Sequence, residues 1–285
     1  MCLTKVVAAI CLLASVASPA SSTHGIRATT PPRGTIGVVS SADFETVFLL
    51  TAATGAVSRV RAPDTVIGLR VDISTDGKRL ATTGSKGIWT FSRRGTEARR
   101  VIAAAPTAFA PDWVSWSPSA RELVFTLEGA LFTVAASGTK PRKLLHRGVY
   151  APDWSPNGTR IVFVRNPNSR TGGGFIQSVR ADGRELRSIV SGGHPDVSPD
   201  GSSLAFARHD GVYIMPMVGG EPKRIVRNGD HPEWSPDGRH LAFTRRVDCG
   251  HAGCVGRAFI VPAVGGSPRA IGPRVFDIGP LSWST

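Results

Sequence analysis

The sequence predicts an all-β fold, a six-bladed β-propeller with four-stranded blades. A turn motif recurs along the chain, as WSPNG at residues 154–158, VSPDG at 197–201 and WSPDG at 234–238, with degraded copies at 73–77 and 116–120. Its serine returns every 37 to 49 residues, which is the spacing of propeller blades. The chain ends on WST, the first half of a sixth copy, and the pattern resumes at Pro32. We therefore expect a ring closed by one blade that both ends of the chain build together.

Each repeat carries the signals for four strands, A to D. The motif predicts the turn between strands A and B, because proline fixes φ at the first central position and glycine accepts the left-handed conformation that ends the turn. Alternating strands follow directly, as in RIVFV at 160–164 and SLAFA at 203–207. A second turn predicts a C–D hairpin at each of six glycines: Gly55, Gly95, Gly138, Gly183, Gly220 and Gly266. The recurring Trp116, Trp154 and Trp234 are expected to pack between blades.

The sequence predicts the location of all four strands of the composite blade. We expect strand A at residues 278–284, strand B at 35–39, and strands C and D within 46–61. Pairing of the two ends would remove the open edges that an unclosed array of blades exposes.

The first 31 residues are predicted to lie outside the propeller. Residues 1–20 contain Lys5, an apolar run and then small residues, which is the pattern of a secretory signal peptide. The apolar run, 6–16, is too short to span a bilayer. We expect a short linker at 21–31, the propeller at 32–285, no transmembrane segment after signal cleavage, and a secreted or periplasmic protein. Because that compartment is oxidising, Cys249 and Cys254 are expected to form a disulfide.

The charge of the chain narrows the class of partner. The formal net charge is +13 at pH 7, which favours acidic partners through long-range attraction. The basic residues are scattered singly or in pairs and are not interleaved with aromatic residues as in a strand-binding groove, so the pattern disfavours nucleic acid. We expect a protein or an anionic cell-envelope component as the partner. The sequence carries no signal for an oligomeric state.

The recurring WSPDG turn followed by an LAF-type strand resembles the TolB-like propeller family, with its WD40-like repeats. The resemblance covers residues 32–285. It implies six blades, a location outside the cytoplasm and use as a binding platform. Only a short stretch separates the predicted cleavage site from Pro32, so we expect the propeller without the α/β domain that precedes it in TolB.

Two blades carry extra residues between strands B and C, at 165–174 and 245–254. We predict two long loops there, on the face opposite the WSPDG turns, and binding residues concentrate on such loops. The alternative is that they are tolerated insertions, because the entropy of loop closure grows slowly with length. The binding candidates on this face are Tyr150, Arg170, His194, His231 and His251.

The starts of the A strands repeat an unusual set of polar residues. APD occurs at 151–153, HPD at 194–196 and HPE at 231–233, and Asp72 is in register with them. Imidazoles and carboxylates can bind a divalent cation, and the candidate ligands are Asp153, His194, Asp196, His231 and Glu233. These groups can equally accept hydrogen bonds from strand ends and neighbouring blades.

These observations predict a non-catalytic binding module that uses the face with the long B–C loops. No catalytic residue is assigned, and the one cofactor considered is a divalent cation in the central channel. The alternative is a metal-assisted lyase or hydrolase with its site at the channel mouth, centred on His194 and His231. A third reading is a purely structural propeller. No GxSxG elbow, P-loop or dinucleotide fingerprint occurs in the sequence.

Overall fold

Six four-stranded antiparallel sheets form the blades of the propeller. The structure is a computed structural model, and it describes residues 31–39, 46–61, 67–103, 111–166, 174–250, 253–276 and 280–285. The strands of blades 1 to 3 are β4 (Ile67–Ile73), β5 (Arg79–Gly84), β6 (Gly87–Ser92) and β7 (Arg99–Ala103); β8 (Val114–Trp116), β9 (Glu122–Leu127), β10 (Ala130–Ala135) and β11 (Arg142–Leu145); and β12 (Val149–Trp154), β13 (Arg160–Arg165), β14 (Phe175–Arg180) and β15 (Arg187–Ser191).

The remaining blades follow the same order from strand A to strand D. Their strands are β16 (Gly193–Val197), β17 (Ser203–Arg208), β18 (Gly211–Pro216) and β19 (Lys223–Arg227) in blade 4; β20 (Asp230–Trp234), β21 (His240–Gly250), β22 (Gly253–Pro262) and β23 (Arg269–Phe276) in blade 5; and β24 (Ser282–Ser284), β1 (Thr35–Val39), β2 (Thr46–Thr51) and β3 (Val57–Arg61) in blade 6. The predicted fold class is therefore confirmed.

Blade 6 is composite, as the split motif predicts. The C-terminal strand β24 pairs with β1 in antiparallel register, with Ile36 opposite Trp283. The indole Nε1 of Trp283 donates to the main-chain oxygen of Arg33 at 2.8 Å. Strand A is shorter than expected, because it begins at Ser282. Residues 277–279, where the prediction also placed it, lie outside the described part of the chain.

The motif tryptophans lie between blades. Trp116 packs with Ala81 and Ile88 of the preceding blade, and Trp234 packs with Ala205 and Val212. Each indole therefore covers strands B and C of the blade before it. This packing of sheet on sheet is the role that the fixed register of the tryptophans predicts.

The motif serine is a buried hydrogen-bonding centre. In blade 5, Ser235 is fully buried; its hydroxyl donates to Asp237 at 2.6 Å and accepts from the main-chain nitrogen of His240 at 2.9 Å. Blade 4 repeats both bonds at Ser198. The serine therefore fixes the turn and the start of strand B together.

We expect Ser235→Ala to lower the free energy of unfolding by about 1–3 kcal/mol, because it leaves the main-chain nitrogen of His240 buried without its acceptor. Urea denaturation followed by circular dichroism measures this. Ser202→Ala, at an exposed turn position, is the control and should change stability by less than about 0.5 kcal/mol. Equal losses in both variants would contradict this role of the motif serine.

The insertion in blade 5 differs from the predicted loop. Strands β21 and β22 continue outwards as a hairpin, and residues 245–250 and 253–254 are paired strand. Cys249 and Cys254 are directly opposite each other and form the expected disulfide, with their Cα atoms 4.1 Å apart. The cross-link ties the two extended strands together, which explains why strand replaces loop. The counterpart in blade 3 includes residues 167–173, which lie outside the described part.

Among the described residues, no helix is long and apolar enough to cross a membrane.

Candidate functional site

The A strands of three consecutive blades begin with the same backbone irregularity. Their register with strand B shifts between Tyr150 and Asp153, between Gly193 and Asp196, and between Asp230 and Glu233. At each shift one residue before a proline has a left-handed conformation: φ is 47° at Ala151, 47° at His194 and 48° at His231. Such a conformation is uncommon outside glycine, and histidine is among the residues enriched in it. The irregularity places equivalent side chains around the axis.

The outer ring consists of one residue from the start of strand A in each of the six blades. In sequence register, each lies two residues before the position that is occupied by Asp72, Asp153, Asp196 and Glu233 in four of the blades. Its members are Arg70, Trp113, Ala151, His194, His231 and Pro280, and all six border a small axial cavity of about 70 Å³.

Four members of the outer ring stack in sequence across the channel mouth. The Arg70 guanidinium lies 3.8 Å from the ring centre of Trp113. Trp113 lies 5.6 Å from the His194 ring, and the two imidazoles are 3.9 Å apart. Trp113 and His194 belong to blades 2 and 4, so the small Ala151 of blade 3 leaves room for their contact.

The two imidazoles converge on Asp230, the first residue of β20. His194 Nδ1 lies 2.6 Å from Asp230 Oδ1, and the main-chain nitrogen of His231 donates to the same oxygen at 2.8 Å. His231 Nδ1 lies 4.0 Å from Asp230 Oδ2. Among the described residues, these three side chains form the group whose potential ligand atoms all lie within 4.8 Å of one another.

The surroundings of Asp230 and His231 shift the pKa values of both side chains. Burial alone would raise the pKa of Asp230, but the hydrogen bonds from His194 and from the main-chain nitrogen of His231 hold that pKa well below its usual range. Burial lowers the pKa of His231 far below its ordinary value, and the charges of Arg70 and Arg246 lower it further. Asp230 is therefore ionised and His231 neutral at pH 7.

Hydrogen bonding also defines the tautomer of His231. The Thr244 hydroxyl donates to the main-chain oxygen of Asp230 at 3.1 Å, which uses its single proton. His231 Nδ1 lies 3.1 Å from that hydroxyl and must be the donor there. In the neutral ring, Nε2 consequently keeps its lone pair. An ionised carboxylate can only accept, so His194 Nδ1 is the donor to Asp230.

A deeper ring of carboxyl groups joins neighbouring blades. Asp72 accepts from the main-chain nitrogen of Trp116 at 2.5 Å and from the Ser282 hydroxyl at 2.5 Å. Glu233 accepts from the nitrogen of Trp283 at 3.1 Å. Each acid on one blade thus binds strand A of another blade.

The same deeper ring contains Asp153 and Asp196. Asp153 accepts from Ser115 at 3.0 Å, and Asp196 accepts from the main-chain nitrogen of Trp234 at 2.5 Å. Burial, followed by the charge of Asp72, raises the pKa of Asp153 to about 7. Burial and the neighbouring acids also raise the pKa of Asp196 and Glu233 well above the usual range. These carboxyl groups are blade-to-blade acceptors.

A pocket of about 880 Å³ opens above the histidines, between blades 3, 4 and 5. Arginines border it, and two of them are held in equivalent ways at the ends of their B strands. Arg208 lies over the rings of Phe206 and Tyr213 and donates to a main-chain oxygen at 3.2 Å. Arg245 lies over the corresponding rings of blade 5 and donates through two nitrogens. Both guanidinium groups are thus held in fixed positions beside the pocket.

The pocket brings together part of the predicted site. Tyr150, His194 and His231 line it, while Arg170 and His251 lie outside the described residues. Of the predicted metal ligands, the two histidines lie in the outer ring, whereas Asp153, Asp196 and Glu233 accept hydrogen bonds in the deeper ring.

Sequence reasoning missed Asp230, Arg208 and Arg245. The arginines had a signal, because each directly follows an LAF-type strand: LAFAR at 204–208 and LAFTR at 241–245. Asp230 had a weaker one, as the acidic residue that directly precedes HPE. Its partner His194 is 36 residues away, and only the fold brings the two together.

Comparison with known proteins supports the architecture. No protein-family model matches the chain, and no curated protein sequence matches it. Solved structures do: a protein described as a TolB from Agrobacterium tumefaciens is 17% identical, with a TM-score of 0.67, and the match covers 89% of this chain and 99% of that one. The chain has the fold of a TolB-like propeller.

Other propellers share this TolB-like fold at lower identity. The propeller in a nidogen/laminin complex is 13% identical, with a TM-score of 0.68 over 88% of this chain and 98% of that one. An oligogalacturonate lyase from Vibrio parahaemolyticus is 11% identical, with a TM-score of 0.51 over 71% of this chain and 69% of that one. At these identities the likeness concerns the fold, and function has to be argued from the site.

Proposed function

We propose that this TolB-like propeller is an exported, non-catalytic binding module that holds an anionic ligand in the 880 Å³ pocket. The observation that carries the proposal is the arginine border of that pocket: Arg70, Arg208, Arg245 and Arg246. Guanidinium groups bind carboxylate and phosphate oxygens through charge-assisted hydrogen bonds, and the basic chain attracts acidic partners from a distance.

Rigidity of the pocket supports the same function. Arg208 and Arg245 are stacked on aromatic rings and bonded to main-chain oxygens, so little side-chain entropy is lost when a ligand binds them. The extended hairpin of blade 5 contributes Cys254 and Gly256 to the wall, and its disulfide restrains that wall. The disulfide also supports export, because such bonds persist in oxidising compartments.

The ligand is a protein with an acidic segment or an anionic cell-envelope polymer. The propeller of the nidogen/laminin complex gives a precedent of this fold in a complex with another protein. The binding experiment separates these two ligand types.

We expect saturable, salt-dependent binding of poly-L-glutamate or of purified wall teichoic acid in isothermal titration calorimetry. The double variant Arg208→Gln/Arg246→Gln should lower the affinity by about tenfold or more, because charge-assisted hydrogen bonds contribute about 1.5–3 kcal/mol each. Arg239→Gln, an exposed arginine beside a WSPDG turn, is the matched control and should bind like the wild type. Equal loss in the control, or no binding of either probe, would contradict the proposal.

A metal-assisted lyase or hydrolase is the second candidate. Its supporting observation is the His194, Asp230 and His231 group at the base of the same pocket. Incubation of a bound polymer with protein and Zn²⁺, Mn²⁺ or Ca²⁺, followed by chromatography of the products, separates the candidates. A binding module leaves the polymer length unchanged, whereas an enzyme shortens it.

A further inference from the structure

The base of the pocket holds three potential metal ligands of two chemical kinds. One ligand atom from each of His194, Asp230 and His231 lies within 4.8 Å of the others. Imidazole nitrogen together with carboxylate oxygen suits first-row transition metals such as zinc, whereas calcium and magnesium prefer oxygen alone. The combination therefore favours a transition-metal ion.

The ligands are already oriented by their neighbours. The carboxylate of Asp230 fixes His194 through Nδ1, and Thr244 fixes His231 through Nδ1. Carboxylate or hydroxyl partners of this kind fix the orientation of metal-binding histidines. A metal ion would replace the proton between His194 Nδ1 and Asp230 Oδ1, so a nitrogen and an oxygen that already lie 2.6 Å apart would both become its ligands.

Packing and backbone conformation also hold the two histidines in position. The His194 ring is held between Trp113 and His231, and both histidines occupy a left-handed backbone conformation that sets the direction of their side chains. Thr244 is itself fixed, because its hydroxyl donates to the main-chain oxygen of Asp230. Preorganised ligands lose little entropy when they bind an ion.

The site is open on the pocket side. The Asp230 side chain is 48% exposed and the two imidazoles are 23% and 16% exposed, so an ion can enter and keep positions for other ligands. The charges of Arg70 and Arg246 oppose a dication there, while the Asp230 carboxylate, which accepts from the main-chain nitrogen of His231, favours it.

We propose that His194, Asp230 and His231 bind one divalent transition-metal ion at the base of the pocket. The residue set differs from the one that the sequence predicts, because Asp230 takes the place of Asp153, Asp196 and Glu233. The proposal does not depend on the anionic ligand, since the arginines that carry the ligand hypothesis are separate side chains.

The test uses the full mature chain, stripped with a chelator, dialysed and titrated with Zn²⁺. We expect one Zn²⁺ per chain in the wild type by calorimetry and elemental analysis. His194→Asn, His231→Asn and Asp230→Asn should each weaken binding by more than about tenfold. Asparagine is chosen for the histidines because it tolerates the left-handed conformation at both positions.

The matched control is His209→Ala. His209 is exposed and borders the same pocket outside the three-residue group, so this variant should keep wild-type affinity. A thermal melt of each metal-free variant confirms that it is folded. With Co²⁺ as a spectroscopic probe, the wild type should give visible absorption bands that the three variants lose.

Two results would overturn the proposal. One is a wild-type affinity for Zn²⁺ no higher than that of folded His194→Asn or His231→Asn. The other is an equal loss of affinity in His209→Ala. Neither result bears on the binding of poly-L-glutamate or teichoic acid, which is measured separately in the presence of chelator.

Discussion

Deletion of residues 279–285 is expected to unfold the protein at room temperature. The deletion removes β24, and with it the strand pairing that closes blade 6. It also removes the buried Trp283, and loss of a buried tryptophan side chain alone costs about 3–5 kcal/mol. The total stability of a typical domain is about 5–15 kcal/mol, so this one segment carries a large share of it.

The deletion also removes hydrogen-bond partners from buried groups on two other blades. Asp72 loses the Ser282 hydroxyl, the main-chain nitrogen of Ile73 loses the same oxygen as its acceptor, and Glu233 loses the nitrogen of Trp283. Each unsatisfied buried group adds about 1–3 kcal/mol to the loss. The effect therefore reaches blades 1 and 5 as well as blade 6.

Circular dichroism melts and urea denaturation of the truncated chain measure the effect. Deletion of Thr285 alone is the control, because this residue is exposed and follows the last strand, and it should leave the melting temperature nearly unchanged. A melting temperature of the 279–285 deletion equal to that of the full chain would refute the composite blade.

The contribution of Asp153 to stability should fall as the pH rises from about 4 to about 7. Burial raises the pKa of Asp153 to about 7, whereas the unfolded value is 3.8. The folded state binds this proton more tightly than the unfolded state does, so the stabilisation is complete below about pH 4 and is lost as the pH passes the folded value. One pKa unit corresponds to about 1.4 kcal/mol, which gives a loss on the order of 4 kcal/mol for Asp153 over the whole range.

Two histidines act in the opposite direction at lower pH. Burial lowers the pKa of His231 and of His240, so their contribution to stability rises with pH until the unfolded histidine has lost its proton, at about pH 6.5. Between about pH 4 and about pH 6.5 the two effects therefore oppose each other. The difference between the profiles of the wild type and of Asp153→Asn isolates the acid, because both proteins contain the two histidines.

Urea denaturation at several pH values measures the profile. Asp153→Asn should remove the fall that Asp153 contributes between about pH 4 and about pH 7, because the amide stays neutral. Asp200→Asn is the control: hydrogen bonds from Ser198 and Ser202 lower the pKa of this exposed acid to about 2, so its contribution changes only at lower pH. An Asp153→Asn profile as steep as that of the wild type would show that the deeper ring does not bind protons in this range.

The sequence predicted the fold closely because short, local sequence patterns specify its turns and strands. Proline and glycine at fixed spacing define the A–B turns, and the split motif identifies the pairing of the C-terminal strand with the strand at 35–39. The prediction failed at 245–250 and 253–254, where strand replaces loop. The disulfide between Cys249 and Cys254 was predicted, but the length of the two strands was not. Strand length depends on how the two strands face each other, and no local sequence pattern specifies that.

The site was predicted less completely than the fold. His194 and His231 stood out because they repeat at one register, and the structure places both at the channel mouth. The partition of the acids into an outer Asp230 and a deeper Asp153, Asp196 and Glu233 depends on the irregular start of each A strand. That irregularity is a property of the strand pair and has no separate signature in the composition of either strand.

The outer ring makes the channel mouth a set of six separately replaceable positions, one from each blade. Because each blade supplies one of these positions, single substitutions can change the side chains at the axis while the strands of the blades stay the same. Ala151 illustrates this: its backbone already has the conformation of His194 and His231, and it occupies the blade next to His194. A histidine there would extend the imidazole pair to three consecutive blades, and it would occupy the space in which Trp113 now contacts His194.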